Sequence, residues 1–214
     1  MTGMIKICGM RETENIREVS ELKPDLIGFI FYSGSQRYAG ELLDPGVISK
    51  IPENIRKTGV FVNSDFQEIL FTVGKYSLDT VQLHGNETTE ECFRLKEKGI
   101  KIIKAFGIKE SKDFKLCNDY VTPADYFLFD TFNSGYGGSG LKFDWRLLDD
   151  YNLDKPFFLS GGISPDDIGN IMKIKNDAFA GVDLNSRFEI KPGLKDTETL
   201  KKFISDLRLH FKSL

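Results

Sequence analysis

Phe157-Phe158-Leu159-Ser160-Gly161-Gly162-Ile163-Ser164-Pro165 is the stretch whose reading decides the fold. Its first three residues are an apolar run suited to a strand buried on both faces, and Ser164 with Pro165 opens a helix. Between them, Gly161 and Gly162 let the backbone turn sharply and bare amides beside a helix N-terminus, where aligned peptide dipoles favour an anion. The stretch therefore reads as strand, phosphate seat in outline, and helix. An ordinary strand-to-helix turn is the alternative, and the rest of the chain decides between them.

Working outward, the same unit recurs. Residues 5–7 form an apolar strand ending in Cys8 and Gly9, and a helix follows from residue 13 or 14 to 22. Strands at 26–31, 57–62 and 80–83 lead into helices at 44–50, 65–76 and 88–98. A strand at 100–106 precedes a weaker helical pattern near 111–118, and 126–129 ends at Asp130 before a glycine-rich loop. The helix after the central stretch runs over 165–173, and a strand at 178–184 and a helix at 196–211 close the chain.

Strands that alternate with helices pair in parallel, because a crossover helix returns the chain to the same end of the sheet. Eight such units in 214 residues predict an α/β fold, a single-domain (β/α)8 TIM barrel spanning 1–214, with an open doubly wound sheet as runner-up. The barrel gathers whatever follows each strand at one rim: Cys8, Arg37, Asn63, His84, Asp130, the Ser160-Gly161-Gly162 turn, Asp183, Asn185 and Ser186. Loops after strands seven and eight are neighbours there and often bind phosphate, which favours the phosphate reading of both.

Composition narrows the function. A formal net charge of −3, with no Lys/Arg block and no aromatic ladder, speaks against nucleic acid. No segment approaches the roughly 18 apolar residues of a membrane span, and the N-terminus lacks a signal peptide's apolar core, so a cytoplasmic protein is expected. Cys8, Cys92 and Cys117 have neither disulfide nor metal spacing, and no metal is expected. Gly135-Tyr136-Gly137-Gly138-Ser139-Gly140 matches a dinucleotide fingerprint letter for letter but lies away from any strand-to-helix turn. Leu141 stands where a P-loop needs Lys, so the segment reads as a mobile loop closing over a substrate.

The candidate chemistry follows from position. Cys8 at the rim shares a strand face with Lys6, whose ammonium is expected to lower the thiol pKa and supply a thiolate base near neutrality. Asp130 ends an apolar strand where a carboxylate has no packing use, which suits a general acid of raised pKa. Arg37 can hold a carboxylate bidentately. His84 is expected to hydrogen-bond the backbone rather than titrate. The apolar positions of the last helix, from Leu200 to Phe211, form a barrel-packing face and leave monomer or homodimer open.

These residues resemble a known family. Lys6-Ile-Cys-Gly9, Gly28 to Phe31 with Ser35-Gln-Arg-Tyr38, Val60 to Asn63, Val81 to Gly85, Phe127 to Thr131, Phe143-Asp-Trp145, Leu159 to Pro165 and Gly181 to Asp196 are similar, in order, to phosphoribosylanthranilate isomerase. The resemblance implies a cofactor-free Amadori (aldose-ketose) rearrangement of a small phosphosugar in tryptophan biosynthesis. By the same resemblance Asp130 is the general acid and Cys8 the general base. Arg37 holds the anthranilate carboxylate, and Gly161, Gly162, Asp183, Asn185 and Ser186 bind substrate, mainly its phosphate. Two departures stand out: Arg187 follows Ser186 where the family usually has Gly, and Asn185 replaces a common serine. Other phosphosugar barrels, such as an epimerase or the related histidine-pathway isomerase, are disfavoured by the thiol at Cys8. A silent phosphate-binding module is disfavoured by Cys8, Asp130 and Arg37 occurring together.

Overall fold

The computed structural model describes residues 3–40, 42–131 and 142–211. Its parallel strands are β1 (Met4–Ile7), β2 (Leu26–Ile30), β3 (Arg56–Phe61), β4 (Thr80–Leu83), β5 (Lys101–Ile108), β6 (Tyr126–Thr131), β7 (Phe157–Leu159) and β8 (Phe179–Leu184). They pair in sequence order, and β8 closes on β1 with Asp183 opposite Lys6. Closure excludes the open doubly wound sheet. A register shift between Phe157 and Phe158 lets the three-residue β7 span the gap to β8.

Alternation along each strand separates two cores. Outward-facing Ile5, Ile7, Phe127, Phe129 and Phe157 join the layer beneath the helices. Inward-facing Leu26, Ile103, Ala105, Leu128 and Phe158 fill the barrel floor. Above this apolar floor the interior turns polar, with Lys6, Gln82 and Asp183 all buried. Thr58 and Thr80 are buried partners across β3 and β4. Polar groups in so confined a space need one another, and they bring charge to the rim end of the barrel.

The helices are α1 (Thr13–Glu21), α2 (Pro45–Ile48), α3 (Phe66–Tyr76), α4 (Thr89–Glu97), α5 (Ile168–Ile171) and α6 (Thr197–Phe211). Asp44 and Asp65 cap α2 and α3 through the amides of Gly46 and Gln67. Thr88 and Glu91 form a reciprocal capping box on α4. In α6, Leu200, Phe203, Ile204 and Leu207 are buried, as a barrel-packing face requires.

The helical layer differs from expectation on one side. Residues Ser111–Tyr120 form a 3-10 helix instead of an α-helix. Phe114, Cys117 and Tyr120 recur every third residue, the period at which 3-10 side chains line up. Trp145–Asp150 is a second 3-10 segment after β6. Phe114 in the first segment and Tyr151 just after the second each place their ring centroid 5.0 Å from that of Phe129, so aromatic rings fill space that a full helix would occupy. After β7 the expected long helix is a three-residue 3-10 turn, Pro165–Asp167, followed by the four residues of α5.

One element escaped the sequence reading. An antiparallel hairpin of β9 (Glu189–Lys191) and β10 (Leu194–Lys195) follows β8. Pro192 and Gly193, with Gly193 at φ +84°, make its turn.

Candidate active site

The strands deliver Cys8, Gln82, His84, Asp130, Ser160, Asp183 and Asn185 to one recess at the rim. Cys8 directly follows β1 and Asp130 stands near the end of β6, with β7 and β8 between them. Gly28 makes room for the thiol, since a Cβ there would lie 2.8 Å from Cys8 Sγ and 3.2 Å from Lys6 Nζ.

Asp130 is a half-buried acid with few partners among the described residues. Its Oδ1 accepts the amide of Thr131 at 2.7 Å, and its Oδ2 lies 3.5 Å from His84 Nε2. Burial raises its pKa to about 6, against the pull of the Thr131 amide. The expected elevation is therefore present. His84 differs from expectation: its ring meets side chains, with Nδ1 3.2 Å from Gln82 Nε2, and not the backbone. Burial, together with the cations Lys104 and Lys6, lowers it to about 4, so the ring is neutral.

The thiol also departs from expectation. Lys6 does pull the Cys8 pKa down, but burial outweighs it and Asp183 opposes it, so the thiol is raised. The reason is geometric: Lys6 Nζ lies 2.9 Å from Asp183 Oδ1, with both side chains buried. A cation already paired with an anion presents little net charge to its neighbour.

Arg37 is likewise engaged. Its Nε lies 3.0 Å from both oxygens of Glu189, and its Nη2 lies 2.7 Å from Oε2. Glu189 is 3% exposed, and Arg37 and Lys195 together overcome burial to hold its pKa below the usual range. Lys195 Nζ completes the cluster, 2.6 Å from Glu189 Oε1 and 2.7 Å from Asn185 Oδ1. Glu189, Lys195 and Gln82 carry no assignment in the sequence reading. Only the hairpin brings the first two beneath Arg37, and only the Gln82-to-His84 spacing of two along β4 hinted at the third.

Of the phosphate candidates, Gly161 and Gly162 adopt φ +87° and +66°. A Cβ on Gly161 would sit 2.7 Å from Asp130 Oδ1, so the glycine turn packs directly on the acid. The helix that follows the turn is short, Pro165–Asp167 and then α5, and Asp167 Oδ2 already accepts the Ser164 amide and hydroxyl at 2.7 Å each. Ser186 opens a 3-10 turn over Ser186–Phe188, and exposed Arg187 sits within it. Asn63 ties loops together: its Oδ1 accepts the Asn86 amide at 2.7 Å, and its own amide donates to Glu87. The loop expected at 135–140 lies outside the described residues. Among those residues, no group of three or more His, Cys, Asp or Glu is placed to hold a metal ion, and no helix is long and apolar enough to cross a membrane.

The sequence model of the N-(5'-phosphoribosyl)anthranilate (PRA) isomerase family matches residues 5–206. The chain belongs to this family. It is 46% identical over 205 residues to the N-(5'-phosphoribosyl)anthranilate isomerase of Parabacteroides distasonis, covering 95% of this chain and 93% of that one. The corresponding protein of Phocaeicola vulgatus is 42% identical, with 96% and 98% covered. The crystal structure of phosphoribosyl anthranilate isomerase from Thermotoga maritima superposes with a TM-score of 0.81 at 33% identity, covering 96% and 98%. A solved family member in complex with reduced 1-(o-carboxyphenylamino)-1-deoxyribulose 5-phosphate gives 0.78 at 29% identity, with the same coverage.

Proposed function

We propose that this rim isomerises N-(5'-phosphoribosyl)anthranilate to 1-(2-carboxyphenylamino)-1-deoxy-ribulose 5-phosphate, with Asp130 as general acid and Cys8 as general base. The observation that carries the assignment is the pair of walls they occupy: a carboxyl raised to about 6 and a thiol, separated by two strands, lining one recess. The reaction needs an acid and a base on different sides of one sugar, held in place at both ends.

In this reading Asp130 gives its proton to the furanose ring oxygen. The C1–O bond breaks as the nitrogen lone pair forms the Schiff base. Cys8, as thiolate, removes the C2 proton, and the resulting enolamine tautomerises to the ketone. No electrons leave the substrate, so the step needs no external oxidant or reductant. Arg37 holds the anthranilate carboxylate through the guanidinium edge not taken by Glu189. The Gly161 and Gly162 amides, with Asn185 and Ser186, hold the phosphate. Asp183 keeps Lys6 paired beneath the thiol and faces the sugar. The whole chain works as one domain in the cytoplasm, as monomer or homodimer.

The test is the decay of anthranilate fluorescence when protein is added to freshly generated substrate. Wild type quenches the signal, whereas Cys8→Ala and Asp130→Ala leave it nearly unchanged. A silent wild type would sink the catalytic reading.

A further inference from the structure

A buried lysine at the edge of the site takes no part in the proton transfers. Lys195 is 1% exposed, and its backbone in β10 is pinned to α1: its amide donates to Asn15 Oδ1 at 2.7 Å, and its carbonyl accepts Asn15 Nδ2 at 3.0 Å. Its ammonium therefore points where the hairpin and α1 place it, onto Glu189 and Asn185. Both second contacts lead to the thiol's neighbour. A Cβ on Gly9 would lie 2.8 Å from Asn185 Oδ1 and 2.8 Å from Arg37 Cδ.

The charges around Cys8 divide into two groups. Lys6 and Asp183 form a one-to-one pair and cancel. Arg37 and Lys195 share the single carboxylate of Glu189, which leaves one positive charge over. We propose that Lys195 and Glu189 are positioning residues that set the charge facing Cys8, the Arg37–Glu189–Lys195 triad supplying the net positive charge that favours the thiolate. This deepens the assignment of Cys8 as base and rests on it. The other titratable groups around the recess are His84, Asp130 and Tyr32, which the variants below leave untouched. Lys195 is, with Lys6, among the groups that draw the Cys8 pKa down against the burial that raises it.

The test reads the thiol without substrate, so it stands apart from the isomerase assay. Iodoacetamide alkylation of Cys8 is followed against pH by peptide mapping in wild type, Lys195→Met, and Lys195→Met/Glu189→Gln. Lys195→Met leaves Arg37 and Glu189 to cancel, and the alkylation midpoint rises by about one unit, roughly tenfold less thiolate at a given pH. Adding Glu189→Gln restores one positive charge, and the midpoint returns towards wild type. A merely structural role predicts the opposite, a double variant at least as disturbed as the single one. Lys195→Gln replaces Lys195→Met should the latter not fold. An unchanged midpoint in the single variant, or no recovery in the double, overturns the proposal.

Discussion

His84 Nε2 stands 3.5 Å from Asp130 Oδ2, and burial displaces both groups from their solution acidities in opposite directions. A neutral imidazole beside a carboxyl that is protonated up to about pH 6 is an arrangement for giving a proton away. Because the acid acts only when protonated, kcat/KM should fall as pH rises through about 6. A pH profile checks this. Asp130→Asn should abolish that limb and lower the rate by about 10²–10⁴-fold.

The same displacements make stability depend on pH. His84 binds its proton less tightly in the folded protein, at about 4, than in the unfolded chain, at 6.5. Its contribution is complete above 6.5 and is lost as pH falls through about 4, up to roughly 3 kcal/mol. Asp130 is raised from 3.8 to about 6, so its contribution is complete below 3.8 and is lost as pH rises through 6. Urea midpoints should therefore show His84→Asn gaining on wild type between pH 6.5 and 4, and Asp130→Asn gaining between 4 and 6.

The Lys6–Asp183 pair should reveal itself in folding. Lys6→Met strands a buried carboxylate and should cost about 3–5 kcal/mol, whereas Lys6→Met/Asp183→Leu should recover most of it. Thermal unfolding of the three proteins decides. Equal losses in single and double variants would show that the pair is not coupled.

Gly161 is constrained twice, by φ +87° and by the 2.7 Å approach of its missing Cβ to Asp130 Oδ1. Gly161→Ala should cost about 1–3 kcal/mol in backbone strain and push the acid out of place. A fall in kcat larger than the rise in KM is the expected kinetic signature.

Arg187 is exposed, in the turn after β8. Arg187→Gly should keep kcat and raise KM by no more than about threefold, the scale of a surface charge contact. A collapse in kcat would place the arginine in the machinery.

The sequence by itself determined the barrel and the rim. Apolar runs of three to seven residues each followed by a polar turn and a helix dictate parallel strands, and position at a strand end dictates which side chains face one another. For that reason Cys8, Asp130 and the Gly161-Gly162 turn were legible without coordinates. Helix type was not, because Phe114, Cys117 and Tyr120 settle into a 3-10 row only when there is a barrel wall to pack against. Nor was the state of the charges. Alternation places Lys6 beside Cys8, but only closure of β8 on β1 sets Asp183 opposite Lys6 and cancels its field. Glu189 and Lys195, far in sequence from Arg37, meet it through a seven-residue hairpin pinned to α1, and pairing of that kind is a property of three dimensions. Acidity at this site is thus decided by how deeply the tertiary structure buries each group and by which ions it pairs.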